Sequence, residues 1–399
     1  MRIYFLNRFY APDISATSQI LSDLARDLAT DHEVHVVTSR QRYDDAAAAL
    51  RREEILEGVH VHRVWTSVFG RGCLPGRAID YATFYAAATA ALSARLREGD
   101  VVVSMTDPPM VSVPAAWVAQ LRGARLVNWL QDVFPEVAAA LGLGMAKGFL
   151  GMLAKRLRDR SLRRAACNVA IGRAMGEHAE AAAPGRTRVI HNWATGDEVR
   201  PMDARSNGLR EAWGLRGKFV VGYSGNMGRA HELDSIVEAA VELRARRDIA
   251  FLLIGDGRQK ARLQERVRRD ALGNVLFQPY QPRELLGQSL TVPDVHVVSL
   301  LPELEGLIVP SKLYSCLAAG RPVLFVGASD GEVARIIDEG ACGVRVAPSQ
   351  PKLLAAAITR LADAPAESRA MGLRGRNLFE RRFDRNVAIR QWKAVLGEL

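Results

Sequence analysis

Short runs of β-branched and aliphatic residues recur along the chain, separated by longer stretches with helical spacing. In the first half these runs are Arg2–Leu6, Val34–Thr38, Val59–Val64, Asp100–Ser104, Ala124–Trp129, Asn168–Ile171 and Thr187–Ile190. Between them, apolar residues three and four apart predict helices over Ser18–Ala29, Tyr81–Leu96 and Phe149–Leu162. Near-continuous apolar strands alternating with helices belong to a parallel sheet, because a helical crossover is what returns the chain to the same end. The fold class is α/β, doubly wound.

The alternation pauses over the polar, turn-rich stretch Ala194–Gly217. It restarts with Phe219–Tyr223, Ala250–Ile254, Val275–Gln278, Val295–Ser299, Val323–Val326 and Val344–Val346. A chain of 399 residues exceeds what one core organises. The pattern therefore predicts two similar Rossmann-like domains, 1–198 and 199–380. The terminal segment 381–399, with its helical stretch Asp384–Leu396, is expected to pack back on the first domain. Ligands of open α/β sheets bind beyond the carboxyl ends of the strands, so two such domains would face one interdomain cleft.

Composition narrows the classes. With 48% hydrophobic and 25% charged residues the chain can bury sizeable cores. Its apolar runs, such as Val111–Leu121, are too short for a membrane span of about 20 residues. The chain opens on a strand-like Arg2–Asn7, so no secretory leader is expected. Cys73, Cys167, Cys316 and Cys342 have neither disulfide nor metal spacing, which fits a reducing cytoplasm. The net charge of +10 attracts polyanions, whether nucleic acid, anionic lipid or phosphorylated substrate. Nucleic acid is disfavoured as a partner, because the arginines are spread over helices and aromatics amount to only 7%.

Candidate chemistry concentrates in the second half. Strand Phe219–Tyr223 runs into Ser224-Gly225-Asn226-Met227-Gly228-Arg229-Ala230-His231, followed by a helix over Leu233–Leu243. Small residues at a strand end let backbone N–H groups approach a phosphate, although an ordinary turn also favours glycine. The full dinucleotide fingerprint is missing, which argues against a nicotinamide enzyme. Ile254-Gly255-Asp256-Gly257 forms a second such strand end. Further on, Pro310-Ser311-Lys312 opens a short helix, where proline and serine suit the first turn. A lysine there opposes the helix dipole unless an anion binds beside it. No metal-binding spacing is present, and no metal or other cofactor is expected.

At these residues the chain resembles the retaining GT-B glycosyltransferases of family 4, in the branch that builds bacterial O-antigen, capsule and colanic-acid-type polysaccharides. The resemblance runs through Asn7-Arg8-Phe9-Tyr10-Ala11-Pro12-Asp13, Ala16-Thr17-Ser18, Thr106-Asp107-Pro108-Pro109, Gln131-Asp132-Val133-Phe134-Pro135-Glu136 and Asn192-Trp193-Ala194. It continues with Tyr223-Ser224-Gly225-Asn226, Gly255-Asp256-Gly257 and the block from Glu305 to Pro322. It implies transfer of a sugar from a nucleotide diphosphate, UDP preferred, to a glycan or polyprenyl-diphosphate-linked acceptor, with retention and front-face attack. It also implies an acceptor-binding first domain and a donor-binding second domain.

By the same resemblance Glu305 orients the donor sugar. Lys312, or less favourably Arg229, is expected to supply the positive charge for the leaving diphosphate in place of the family's usual cations, and Asp132 and Glu136 are the carboxylates expected to position sugar or acceptor. Gly225, Asn226, Arg229, His231, Gly255, Gly257, Gly306, Leu307, Ser311 and Ser315 would complete the donor pocket with Lys312. Ser15, Ala16, Thr17, Asp107, Gln131 and Glu136 would face the acceptor. The chain departs from the family pattern at several of these places. Ser315 stands where a ribose-binding glutamate is usual, Asn226 and His231 replace the usual diphosphate cations, and Gln131 replaces a histidine. Asp132 and Glu136 also suit the cap and first turn of a helix over Val133–Ala140.

Two stretches of the first half bear on the acceptor. Met145, Phe149, Met152, Leu153 and Leu157 recur at helical spacing among Lys147, Lys155, Arg156, Arg158, Arg160, Arg163 and Arg164. That pattern fits a core-facing stripe with a solvated basic face, or a helix lying on an anionic membrane. Ser67–Tyr85 mixes Phe69, Leu74, Ile79, Tyr81 and Phe84 with Arg71 and Arg77, and its glycines predict a mobile loop. The expected location is cytoplasmic, peripheral on the inner face of the cytoplasmic membrane. A GT-B nucleotide-sugar 2-epimerase is the rival enzyme.

Overall fold

The structure, a computed structural model, describes residues 1–42, 50–70, 74–146 and 148–399. Arg71, Cys73 and Lys147, and the side chains of Leu74 and Met145, lie outside the described set. Among the described residues one sheet comprises β1 (Arg2–Leu6), β2 (Glu33–Ser39), β3 (Glu53–Leu56), β4 (Val59–Val64), β5 (Val101–Ser104), β6 (Arg125–Leu130), β7 (Cys167–Ala170) and β8 (Thr187–Val189). Its order is β3-β4-β2-β1-β5-β6-β7-β8. The other comprises β9 (Phe219–Ser224), β10 (Ile249–Ile254), β11 (Val275–Gln278), β12 (Val295–Ser299), β13 (Val323–Val326) and β14 (Gly343–Val346), in the order β11-β10-β9-β12-β13-β14.

Every pairing is parallel except the hairpin of β3 with β4. Edge strand β3 escapes the sequence pattern, since two glutamates occupy half of it and only alternate residues are shielded. Glu57 and Gly58, both at positive φ, make its two-residue turn.

The central strands, such as β5, β10 and β12, read as apolar runs because both faces are covered. In β10, Phe251 and Leu253 join one core with Val221, Ile236, Leu324 and Ile358. Ala250, Leu252 and Ile254 join another with Val220 and Val292 on the opposite face. The first sheet packs Tyr4, Leu6, Val102 and Leu126 against Phe84, Leu92 and Val118 of its helices.

Two compact units result, Met1–His191 with Ile389–Leu399, and Asn192–Ala388. Within the first, Trp392 of the last helix tilts against Trp129 at 4.7 Å between ring centres. Lys393 reaches Asp27 at 2.9 Å and Asp31 at 2.8 Å. Within the second, the stretch following Ala194 is firmly tied. The buried Asn207 side chain bonds the Gln288 carbonyl, and Arg210 donates to the Val292 carbonyl and pairs with Asp294.

Three local expectations change. Ser67–Tyr85 is mostly helix, because the helix Leu74–Arg95 starts inside it. The carboxylate of Asp80 accepts bonds from the Ser67 hydroxyl and from the N–H groups of Phe69 and Gly70, so the loop before it is anchored. The helix after Gln131 spans only Glu136–Ala140, since Phe134 precedes a proline and is kept out of the helical region. In the helix Gly148–Arg164 the apolar residues of the first turns do not face a core, although Leu162 is buried. Phe149 is 70% exposed, Leu150 57%, Met152 46%, Leu153 43% and Leu157 39%.

Candidate functional site

Parallel register places the carboxyl ends of β9 and β10 level, with Ser224 opposite Ile254. The turns that follow touch backbone to backbone. Gly225, Gly255 and Gly257 have φ of 132°, 135° and 142°, a region that side chains disfavour. A Cβ on Gly255 would stand 2.1 Å from the Gly225 carbonyl oxygen, and one on Gly257 2.5 Å from Asn226 Oδ1. The Gly225 N–H is not open to a ligand, because it donates to the Ile254 carbonyl. Met227 likewise donates to the Asp256 carbonyl at 2.7 Å. A ligand at this turn would therefore meet neither the Gly225 nor the Met227 amide, but other N–H groups of the loop.

Lys312 lies over this turn. Its amine is 3.9 Å from the centre of the Tyr223 ring and donates to the Tyr223 hydroxyl, which in turn donates to the Asn226 carbonyl at 2.8 Å. Its Cε and Nζ lie 3.4 and 3.6 Å from where a Gly225 Cβ would be, so the stem packs in ordinary contact against this glycine, whose φ of 132° is what disfavours a side chain there. Burial pushes the amine down to about 7, and among the described residues no carboxylate forms an ion pair with it. A cation held on an aromatic face without a counter-ion is poised to meet an anion.

His231 sits edge-on to Tyr223, and its Nδ1–H donates to the Ser299 carbonyl at 2.7 Å. Burial and then the charge of Lys312 hold its pKa down at about 3, so it is a neutral ring. It can hydrogen-bond a ligand but not neutralise one. Arg229 is exposed on the same loop.

Ser311 corrects the expectation of a serine cap. It has helical angles, φ −60° and ψ −24°, and makes no side-chain cap bond to the helix Lys312–Ala318. A capping side chain needs an extended backbone to reach the amides ahead. Ser315, one turn on, is half-buried. Just upstream, Gly306 at φ 74° turns the chain, and Leu307 is buried.

Glu305 has one oxygen engaged. It accepts the Glu332 N–H at 2.9 Å, and the missing side chain of Gly331 makes room for the carboxylate. The other oxygen, Oε2, is buried with no protein partner and is the one left for a ligand. Burial raises the pKa of this carboxyl, opposed by the backbone N–H groups of Glu332 and Gly306.

In the first unit the register aligns Leu6, Ser104 and Asn128, so the loops after β1, β5 and β6 leave one end of the sheet. Those loops carry the remaining sequence candidates. Ser15 precedes the helix Ala16–Leu28, caps nothing with its side chain, and has a buried hydroxyl oxygen without a partner. Ala16 is exposed and Thr17 half-buried in the first turn. Gln131 is buried and donates its N–H to the Thr106 hydroxyl.

Asp132 lines a pocket with Met105, Thr106, Phe134, Arg158 and His178. Its side chain still presents surface to water, but the surrounding protein and the charge of Asp107 push its pKa up to about 6. Glu136 is already occupied, gripped by both Arg158 Nη atoms at 2.9 and 3.2 Å. His178 has no sequence signal. Its helix Arg173–Ala182 follows β7, and the pairing of β7 with β6 is what brings it to Asp132.

Residues 16–193 match the family model described as glycosyl transferase 4-like domain, and residues 218–364 the one described as glycosyl transferases group 1. The chain is similar to the probable glycosyltransferase WbjE of Pseudomonas aeruginosa, 28% identical over 310 residues, 77% of each chain. It is similar over its length to the putative colanic acid biosynthesis glycosyl transferase WcaI of Escherichia coli, 28% identical over 408 residues and 98% of each. Among solved structures, Anabaena HepE in complex with UDP-glucose shares the fold over the whole of both chains, with a TM-score of 0.75 at 17% identity. The paired α/β sheets are the GT-B architecture.

Proposed function

This chain belongs to the group 1, GT4-like glycosyltransferases, and we propose that it moves a sugar from a UDP-linked donor to a lipid-linked glycan acceptor in cell-surface polysaccharide assembly. The observation that carries the donor half is the amine of Lys312, seated on Tyr223 against Gly225 with no carboxylate beside it. UDP as the carrier is favoured by the HepE likeness, since that protein was crystallised with UDP-glucose. Polysaccharide assembly is favoured by the similarity to WcaI.

The chemistry is one substitution at the anomeric carbon. The acceptor hydroxyl oxygen bonds to that carbon while its bond to the β-phosphate oxygen breaks. The departing phosphate oxygen takes the hydroxyl proton, so retention follows from attack on the face the phosphate leaves. Negative charge grows on the diphosphate, and an ammonium at Lys312 with nearby loop amides would stabilise it. Glu305 Oε2 accepts from a donor-sugar hydroxyl. Asp132 positions the acceptor in the first unit. Recognition by Asn226, Arg229, Leu307, Ser311 and Ser315 completes the donor site, with Ser15, Ala16, Thr17, Asp107 and Gln131 on the acceptor side. The enzyme acts as a peripheral protein on the inner face of the cytoplasmic membrane; no helix among the described residues is long and apolar enough to cross one.

The test is transfer from a panel of nucleotide sugars to lipid extracts bearing the acceptor, with the anomeric configuration of the product read by NMR. Release of UDP with a retained anomer supports the reading. Epimerised donor without any acceptor would replace it with an epimerase.

A further inference from the structure

The helix Gly148–Arg164 presents an outward face divided along its length. At 100° per residue, Phe149, Leu153, Arg156, Arg160, Arg163 and Arg164 fall within about 100° of arc. The amino-terminal part of this exposed face is apolar, flanked by the exposed Leu150, Met152 and Leu157. The carboxyl-terminal part is four exposed arginines, none with an ion pair among the described residues. The opposite side, with Gly151, Arg158 and Leu162, is turned inward.

We propose that this face docks the protein on an anionic lipid bilayer, with the turns around Phe149 and Leu153 in the acyl boundary and Arg156, Arg160, Arg163 and Arg164 at the phosphates. The charge pattern selects this occupant. A second copy of the same face would set the arginines against arginines if parallel or against apolar residues if antiparallel, leaving them without counter-charges either way, whereas an anionic surface pairs all four. Phe149 to Arg160 spans about 16 Å of helix, enough for the amino end to reach the 5–10 Å depth typical of interfacial helices while the arginines stay at headgroup level. The same helix supplies Arg158 and Leu162 to the Asp132 pocket. Docking therefore holds that pocket about one helix diameter, roughly 10 Å, from the lipid. This last point rests on reading the acceptor as lipid-linked; the docking itself does not.

The experiment is flotation of the full chain with phosphatidylcholine vesicles and with vesicles containing 30% phosphatidylglycerol (about one anionic lipid in three). The wild type is expected to float with the anionic vesicles and to stay down with the neutral ones. Each arginine near an anionic surface is worth about fivefold in partitioning, so R156Q/R160Q should lose about 25-fold, and F149S/L153S should also fall off. All four positions are exposed, and an unchanged UDP-glucose-induced thermal shift in both variants shows that fold and donor site persist. A donor shift absent from the wild type strikes the donor reading while leaving docking intact. Docking is overturned if the wild type ignores anionic vesicles, if both variants float like the wild type, or if light scattering shows a dimer that F149S/L153S dissociates.

Discussion

Replacing Lys312 with Met removes the amine seated 3.9 Å from the centre of the Tyr223 ring and leaves most of the stem that rests against Gly225. In the wild type, burial brings that amine down to about 7, so near neutrality it is half charged before a ligand arrives. A diphosphate beside it favours the ammonium, and donor binding then takes up a proton. At pH 6 the free amine is about nine-tenths charged and at pH 8 about one-tenth, so donor affinity should fall on the order of tenfold between them. A charge-assisted hydrogen bond contributes about 1.5–3 kcal/mol, which makes K312M weaker by about 10- to 150-fold at pH 6 and by less at pH 8. The assay is calorimetric titration with UDP-glucose, whose diphosphate does not titrate in this range. Two buffers of different ionisation enthalpy would read about half a proton taken up near pH 7. Wild-type affinity that is flat from pH 6 to 8, or a K312M protein that binds as tightly as wild type, refutes the reasoning.

Other consequences are as direct. Because the Lys312 amine is held below its unfolded value of 10.5, wild-type stability rises from pH 7 towards 10.5, and K312M should unfold at a higher temperature than wild type at pH 7 and lack that slope in a pH series of melts. Gly255→Ala drives a methyl towards the Gly225 carbonyl at a positive φ, costing about 1–3 kcal/mol in urea denaturation and weakening donor binding, while Gly273→Ala, with nothing within 4 Å, is silent. Glu305→Gln keeps an oxygen for the Glu332 N–H, so it should leave UDP binding in place and slow transfer on the order of 100-fold in kcat; equal losses in both would make Glu305 a purely structural clamp. Transfer should rise as pH passes 6, where the Asp132 carboxyl ionises, and Asp132→Asn should flatten that limb; an unchanged limb removes Asp132 from the reaction.

What could be read from the chain follows from burial. Central strands covered on both faces are continuous apolar runs, and the outer strands β4, β8 and β14 keep valines among their polar residues, so thirteen of the strands were visible within a residue or two, while β3, with its exposed glutamates, was not. The glycine turns and the misplaced lysine were visible because backbone freedom and helix charge preferences are local. The platform under the lysine was not, since an aromatic in a strand reads as core and Tyr223 is nearly wholly buried. The bond from Glu332 to Glu305 joins residues 27 apart, and His178 reaches Asp132 only through strand neighbours. Periodicity also misled at Phe149 and Leu153, because helical spacing marks an apolar face without saying what covers it.

The central claim is that a nucleotide's diphosphate sits where the turn after β9 meets Lys312. A crystal structure with a UDP-sugar bound tests it most directly. The account predicts a β-phosphate oxygen about 2.7–2.9 Å from Lys312 Nζ, with the amine drawn off the Tyr223 hydroxyl. A diphosphate bound elsewhere, with the amine still resting on Tyr223, would contradict it.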